Sequence, residues 1–308
     1  MPEATDVHVD AALSEFAMRY TNPTGVFVAD IVAPRVPVTK QSDKYYEWDK
    51  NNLRLVETLR HEKDEPREVD YKLSTSSYFC EDHELKHLIS DEERSNADPA
   101  INPEEDAVQF LLDIMALDRE NRIKAILTDQ TKITQGTALS GTNQWNDLDS
   151  SNPFGDIAAG KAAVLAGCLR KANIIVIPHA VGQQLKQHED YIERIKYTGQ
   201  QVTPGGLLPE IDGLRVIEAD VQYNTAQEGQ TDTFAEMWGK NVVIGYVPPG
   251  RPTKQLPGGL VTFEWNPRQV RRWRDEGKKS DVIAASDGYT ADVLTGTAFF
   301  YLIRTVIA

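Results

Sequence analysis

The segment GDIAAGKA (155–162) comes close to a phosphate-binding loop, with Gly155, Gly160 and Lys161 at the required spacing. That chemistry needs a hydroxyl after the lysine to hold Mg²⁺, and this chain has Ala162 there. The preceding residues, SSNPF, are polar rather than an apolar strand. The segment reads better as a helix start whose small residues allow close packing. A second candidate is CEDHELKH (80–87), with Cys80, His83 and His87. On a helix the two histidines would share a side, as a zinc pair could. No fourth ligand has matching spacing, so a polar turn is the plainer reading. Cys168 falls beside Val164 and Leu165 on the apolar side of its helix and reads as a packed core thiol. The chain has no G-x-S-x-G and no H-E-x-x-H motif, and its carboxylates are widely spread. The sequence therefore nominates no catalytic, metal-binding or cofactor-binding residue.

One basic cluster stands out. PRQVRRWRDEGKK (267–279) carries Arg268, Arg271, Arg272, Arg274, Lys278 and Lys279 around Trp273. Basic residues beside an aromatic can grip nucleic acid. They can equally form oriented ion pairs with carboxylates at an interface. The chain supplies such carboxylates in HEKDEPRE (61–68). With 33 basic against 47 acidic residues, the net charge is −14. A dedicated nucleic-acid binder would present a net basic face, so the interface reading is favoured. The same charge argues against docking on an anionic membrane.

The 308 residues suffice for one large domain or two smaller ones. A content of 40% hydrophobic and 26% charged residues fits a globular chain with a real core. MPEATDVHVD lacks the basic start and apolar stretch of a secretory signal, and no apolar run is long enough to span a bilayer. Two distant cysteines make no disulfide framework and suggest synthesis in a reducing compartment.

Several elements can be placed. Residues 1–35 read as an extended arm with one short helix near AALSEFAMRY. Val36, Val38, Tyr46 and Trp48 alternate on one strand; Val69, Tyr71, Leu73 and Phe79 alternate on another. Between them lies a charged stretch containing Arg60, Glu62, Asp64, Glu65 and Arg67, interrupted by Pro66. Arms of about fifteen residues would reach roughly 50 Å. A lone two-stranded ribbon is marginal in water, so this hairpin must lie on its own domain or on another subunit. Its charge and scattered aromatics suit the second choice. The clearest helix is PEEDAVQFLLDIMALDRENRIKAIL, with Asn102 as N-cap, Pro103 at the first turn and Ala107, Leu111, Ile114 and Asp118 on one face. It should run roughly 37 Å, a strut rather than an ordinary core helix. A hinge-like polar segment leads to a small-residue helix (153–171), a buried strand NIIVIP, a polar helix HAVGQQLKQHEDYIERIKY, and strands LRVIEAD and KNVVIGYVPPG. The rest is strand-rich and ends on an apolar run, Ala298–Ile307, expected to pack beside the long helix.

Taken in order, these parts resemble the major capsid protein of tailed bacteriophages, with the HK-ninety-seven-type fold shared by encapsulin shells. VADIVAPRVPVTKQSDKYYEWDKNNLR resembles that family's entry to its extended loop. PEEDAVQFLLDIMALDRENRIKAIL resembles its spine helix, and GTNQWNDLDSSNPFGDI followed by ANIIVIPHAV resembles its passage into the axial domain. The resemblance implies an α+β fold: an N-terminal arm (1–35), an extended β-hairpin loop (36–80), a peripheral domain (81–152 and 259–308) with its spine helix (103–128), and a compact α/β axial domain (153–258). It implies hexamers and pentamers closing into an icosahedral shell around double-stranded DNA, held without sequence-specific binding. A portal, a separate scaffolding protein and possible decoration proteins are the implied partners. The implied location is the virion, assembled in the bacterial cytoplasm. An encapsulin-like nanocompartment shell is the alternative. The hairpin begins by residue 36, which leaves no room for a cleaved scaffold segment, so no maturation cleavage is expected. Lys50 and Lys63 could in principle cross-link as in some relatives, but no acceptor or catalytic carboxylate matches, and that chemistry is not carried over. Intersubunit contact is expected of Tyr46, Trp48, Arg60, Glu62, Asp64, Glu65, Arg67, Arg268, Arg271, Arg272 and Arg274.

Overall fold

A computed structural model describes residues 8–9, 13–14, 17, 27–47, 54–62, 65–70, 74–96, 102–198, 206–227, 229–250 and 258–308. The chain opens with β1 (His8–Val9), α1 (Ala29–Val32), β2 (Arg35–Pro37), β3 (Ser42–Glu47), β4 (Ser74–Phe79) and β5 (Glu81–Ser90). Next come α2 (Asp91–Asn96), α3 (Pro103–Leu127), β6 (Gly136–Ala138), α4 (Pro153–Cys168), β7 (Ile174–Pro178), α5 (His179–Leu185) and α6 (Glu189–Thr198). The remainder is strands: β8 (Glu210–Ile211), β9 (Leu214–Ala219), β10 (Gln222–Asn224), β11 (Phe234–Glu236) and β12 (Val242–Gly245), then β13 (Leu260–Asn266), β14 (Gln269–Asp275), β15 (Ser280–Leu294) and β16 (Phe300–Arg304).

Helix α3 starts as its sequence dictates. The Asn102 side chain accepts from the Glu104 N–H at 3.3 Å, Pro103 occupies the first turn, and three acidic residues meet the positive end. Its buried stripe runs through Ala107, Val108, Leu111, Leu112, Met115, Arg119, Glu120, Ile123 and Leu127. Ile114, expected on that stripe, is instead exposed. The helix ties two sheets together. Its first half packs Val108, Leu111, Leu112 and Met115 on Ile89, Val270, Ile283 and Ala285 of a long sheet. Its last turns put Ile123 and Leu127 among Trp238, Val243 and Leu302 of a second.

The first sheet is built on β15, whose fifteen residues pair on one edge with β5 and on the other with β14 and then β13. β13 and β14 act as one strand returning along β15, with a register shift between Glu264 and Asn266 and a break in the strand at Pro267. Against the Asn266 carbonyl, Gly288 takes φ +86 between Ser286 and Tyr289, where β15 slips against β5. Such a bulge re-aims its neighbour's side chain. Strand β2 adds in parallel beside β13, and β1 beside β14.

The second sheet has the order β6-β16-β12-β7-β9-β8. Every residue of β7 is buried, and its side chains alternate between two cores. Ile175 and Ile177 join Ile157, Val164, Val181 and Leu185 beneath α4 and α5. Ile174 and Val176 join Ile123, Leu127 and the arm residues Val28 and Val32 on the other side. Terminal strand β16 packs Phe300 and Leu302 beside the end of α3, but its hydrogen bonds go to β12 and β6 of this sheet.

Some local expectations give way. The single polar helix divides into α5 and α6 around the buried His188. The hinge-like segment is anchored: Trp145 is fully buried, its indole donates to Asp156 at 2.9 Å, and its backbone N–H reaches the Val306 carbonyl. Of the short N-terminal helix, Leu13, Ser14 and Ala17 are described and are helical.

Candidate functional site

The two candidate chemical motifs are structural elements here. Gly155 donates its N–H to the Asn152 cap at 2.8 Å, Gly160 lets α4 lie close on Ile244 and Tyr301, and Lys161 pairs with Asp212 at 2.7 Å. CEDHELKH forms strand β5 after Cys80, neither helix nor turn. His83 and His87 therefore stand roughly 13 Å apart along a strand. Among the described residues no group of three or more His, Cys, Asp or Glu could hold a metal ion. The Cys80 thiol is buried against the Phe263 carbonyl, and burial pushes its pKa up to about 11. Cys168 is buried with Val164, its pKa also raised by burial, whereas Leu165 is exposed. No helix among the described residues is long and apolar enough to cross a membrane.

The charged hairpin has a short ladder and a bare tip. Strands β3 and β4 pair over six residues, from Ser42↔Phe79 to Glu47↔Ser74. Beyond that ladder, residues 54–62 and 65–70 form neither helix nor strand and are almost all exposed. The period of two is real, and the side turned to the chain's own core is that of Tyr45 and Tyr78. Tyr45 and Tyr78 face inward and pack on Phe263, with ring centroids 5.7 Å and 4.5 Å away. Tyr46 and Phe79 face outward, exposed by 41% and 59%. Likewise β2 is a separate strand held by β13, not the start of the hairpin. Arg60, Glu62, Glu65 and Arg67 lie in the exposed tip; Trp48, Lys50, Lys63, Asp64, Tyr71 and Leu73 fall outside the described residues. Leu55, Leu59 and Val69 are exposed on the same tip, with no core beneath them.

The arginines of the basic cluster all have carboxylate partners on their own chain. Arg268 donates to Asp287 at 2.8 Å, and Arg35 reaches the same carboxylate at 3.0 Å. Arg271 pairs with Glu84 across the sheet. Arg272 bridges Glu104 and Asp281, each at 3.0 Å, and Arg94 joins both acids. Arg274 chelates Asp91 at 2.6 Å. Burial works to raise the Asp281 carboxyl, but Arg272 and Arg94 outweigh it and hold it below the usual range. Asp287 behaves alike, with Arg35 and Arg268 overcoming its desolvation. A charge reversal at Arg272 would therefore act first on these contacts within the chain.

A junction that sequence reasoning missed joins arm, helix and sheets. Glu120 is fully buried in α3 and accepts from the Val28 N–H at 3.2 Å, the Ala29 N–H at 2.8 Å and the Trp238 indole at 2.6 Å. Its neighbour Arg119 pairs with Asp30 and donates to the Ala33 carbonyl at 3.0 Å. Arg122 holds Asp292 at 2.9 Å and contacts His83 at 2.8 Å. The signal was present: Arg119 and Glu120 occupy positions of the helix stripe that ought to be apolar.

No family model matches the chain. In sequence it is similar to the major capsid protein of Pseudomonas phage JBD67, 28% identical over 266 residues, covering 84% of each chain. It is also 28% identical over 304 residues to the major capsid protein of Burkholderia phage BcepMu, covering 96% of this chain and 95% of that one. In structure it is similar to a phage-related protein from Bordetella bronchiseptica RB50, with a TM-score of 0.75, 24% identity and 97% of each chain covered. A virus-like particle from Pyrococcus furiosus shares the fold at a TM-score of 0.53, with 12% identity and 96% of each chain covered. Along most of its length the chain is thus similar in sequence to phage major capsid proteins, and it shares its mixed α/β fold with a phage-related protein and a virus-like particle.

Proposed function

We propose that this chain is the subunit of a phage head: copies associate as hexamers and pentamers and close into an icosahedral shell around double-stranded DNA. The observation that carries this reading is the charged tip at 54–62 and 65–70, almost all exposed and free of helix and strand, on a chain whose other described elements pack on buried cores. Such a segment gains nothing for a monomer and gains contact area only against another copy. The similarity to two phage major capsid proteins supports the same reading. The division into arm, extended loop, peripheral domain and axial domain, with the HK-ninety-seven-type fold, belongs to this proposal. So do the intersubunit roles of Tyr46, Arg60, Glu62, Glu65 and Arg67.

A net charge of −14 suits a container for DNA, because a repelling wall leaves the genome free to move. Portal, scaffolding and decoration proteins would be its partners and the virion its destination. The similarity to a virus-like particle favours one second reading, an encapsulin-like shell; copurifying protein cargo in place of DNA would identify it. The test of assembly is size-exclusion chromatography with negative-stain microscopy of the void-volume material. Closed shells or rings are expected. A chain that stays monomeric at high concentration, with a coexpressed scaffold, would refute the proposal.

A further inference from the structure

A guanidinium only donates, so the 2.8 Å contact between Arg122 Nη1 and His83 Nε2 fixes the state of that imidazole. Nε2 accepts, the ring is neutral, and its proton sits on Nδ1. Protonating the ring puts an N–H on Nε2, and two donors of like charge then meet where a hydrogen bond stood. Arg122 is the better anchored of the two. Its Nη1 also donates to Asp292 of β15 at 2.9 Å, and its Nε reaches Asp118 at 3.1 Å, one turn back on α3. Asp292 accepts in turn from the Thr262 hydroxyl at 2.7 Å. His83 is held less firmly. Between Glu81 and Ser90 it alone has no register partner on β15, because the register passes from Glu84↔Ser286 to Asp82↔Tyr289 across the bulge.

We propose that His83 is an acid-released latch: neutral, it pins the start of β5 to α3, and protonated, it lets go of Arg122 and frees Glu81–Leu85 from the long helix. The rest of β5 stays in place, because Ile89 is buried with Ala107, Val108 and Leu111 and the β15 ladder continues from Leu85 to Ser90. The charges around His83 can be named. Asp118 and Arg122 face it from α3, Asp292 from β15, and Glu81 shares its side of β5. Asp82 and Glu84 turn to the other side, where Ser286 and Arg271 hold them, and Asp287 of the bulge is taken by Arg35 and Arg268. The carboxylates of Asp118 and Asp292 attract an imidazolium, but both are already bonded to Arg122. The guanidinium at 2.8 Å therefore decides the balance. The sign follows. Only the latched form needs a neutral ring, so the open form binds more protons. The contact is present at neutral pH and above and is lost as pH falls through the span in which imidazoles titrate. Strand β4 runs into β5 through Cys80 alone, so release at His83 loosens the root of the charged loop. The device lies within one chain and holds whether or not copies assemble.

The test is backbone hydrogen exchange of the full-length chain at about pH 7.5 and about pH 5.5, read by mass spectrometry and corrected for the intrinsic pH dependence of exchange. Protection of Glu81–Leu85 should fall about five- to ten-fold in acid, the effect of a shift approaching one pKa unit. Strand β7, fully buried in the second sheet, should keep its protection. His83→Gln places an amide oxygen near the Nε2 position, accepts from Arg122 at either pH, and should lose the response. His83→Lys should leave the segment open at both. A thermal melt at neutral pH checks that each variant folds, and the glutamine variant decides the matter if the lysine variant does not. An equal fall in wild type and His83→Gln would overturn the latch, as would protection unchanged or increased in acid. A fall in β7 as large as that in β5 would mean global loosening and overturn it too.

Discussion

Replacing Glu120 by alanine is the sharpest probe of how the arm is held. The carboxylate is fully buried and satisfies three donors: the backbone N–H groups of Val28 and Ala29 and the Trp238 indole. Removing it orphans all three, at about 1–3 kcal/mol for each donor left buried. The loss is not the full sum, because burial raises the Glu120 pKa against the pull of its hydrogen bonds, and removing the charge relieves that penalty. A net loss on the order of 3 kcal/mol is expected. Glu120→Gln should lose less, since the amide oxygen still accepts at one of the two positions, while its NH2 opposes a donor at the other and leaves part of the loss. The assay is equilibrium denaturation followed by tryptophan fluorescence, with limited proteolysis of the arm as a local readout. Trp238→Phe should cost about 1–2 kcal/mol alone, and the double variant should fall short of additivity by about 1 kcal/mol. An alanine variant within about 0.5 kcal/mol of wild type, or a strictly additive pair, would refute the claim that this carboxylate fastens the arm.

Other outcomes can be stated more briefly. Asp287→Asn removes a nearly buried carboxylate from between Arg35 and Arg268 and should cost about 3–5 kcal/mol at neutral pH. Because the folded pKa of Asp287 is depressed, its contribution is present above the unfolded value of about 3.9 and is lost as pH falls through the folded value; the variant's acid denaturation limb should be shallower below about pH 4. Gly288→Ala forces a Cβ toward the Asn266 carbonyl at φ +86 and should cost about 3 kcal/mol, seen as a lowered Tm. Tyr78→Ala removes the ring stacked on Phe263 and should cost about 3–5 kcal/mol, with new proteolytic cutting at the root of the loop; an unchanged digestion pattern would argue that the root is held elsewhere.

Much of this fold could be read from local chemistry. Asn102–Pro103 fixed where the long helix begins, and NIIVIP could only be a strand buried on both faces. The arrangement of late strands was less legible, because β13 to β15 form one long hairpin in which Gly288 must pass close to the Asn266 carbonyl, some twenty residues earlier. Which face of β3 and β4 turns inward was not legible, for a physical reason. Tyr45 and Tyr46 are both aromatic, and only Phe263, distant in sequence, decides which one turns inward. The carboxylate partners of Arg271, Arg272 and Arg274 were hidden in the same way. Glu84, Glu104 and Asp91 become their neighbours only once β5, α3 and α2 are brought against β14. Composition could favour a role for those arginines at an interface, but not name what they touch first.

The passage from loop to body runs without a turn: β4 ends at Phe79, and after Cys80 the chain continues as β5, zipped to β15 from Glu81 to Ser90. Tension applied to the tip enters β5 along its own axis. The backbone hydrogen bonds of this antiparallel ladder lie across that axis. They are loaded together in shear rather than peeled apart one at a time. A chain pulled by its loop would resist on this side with the strength of the whole β5–β15 ladder.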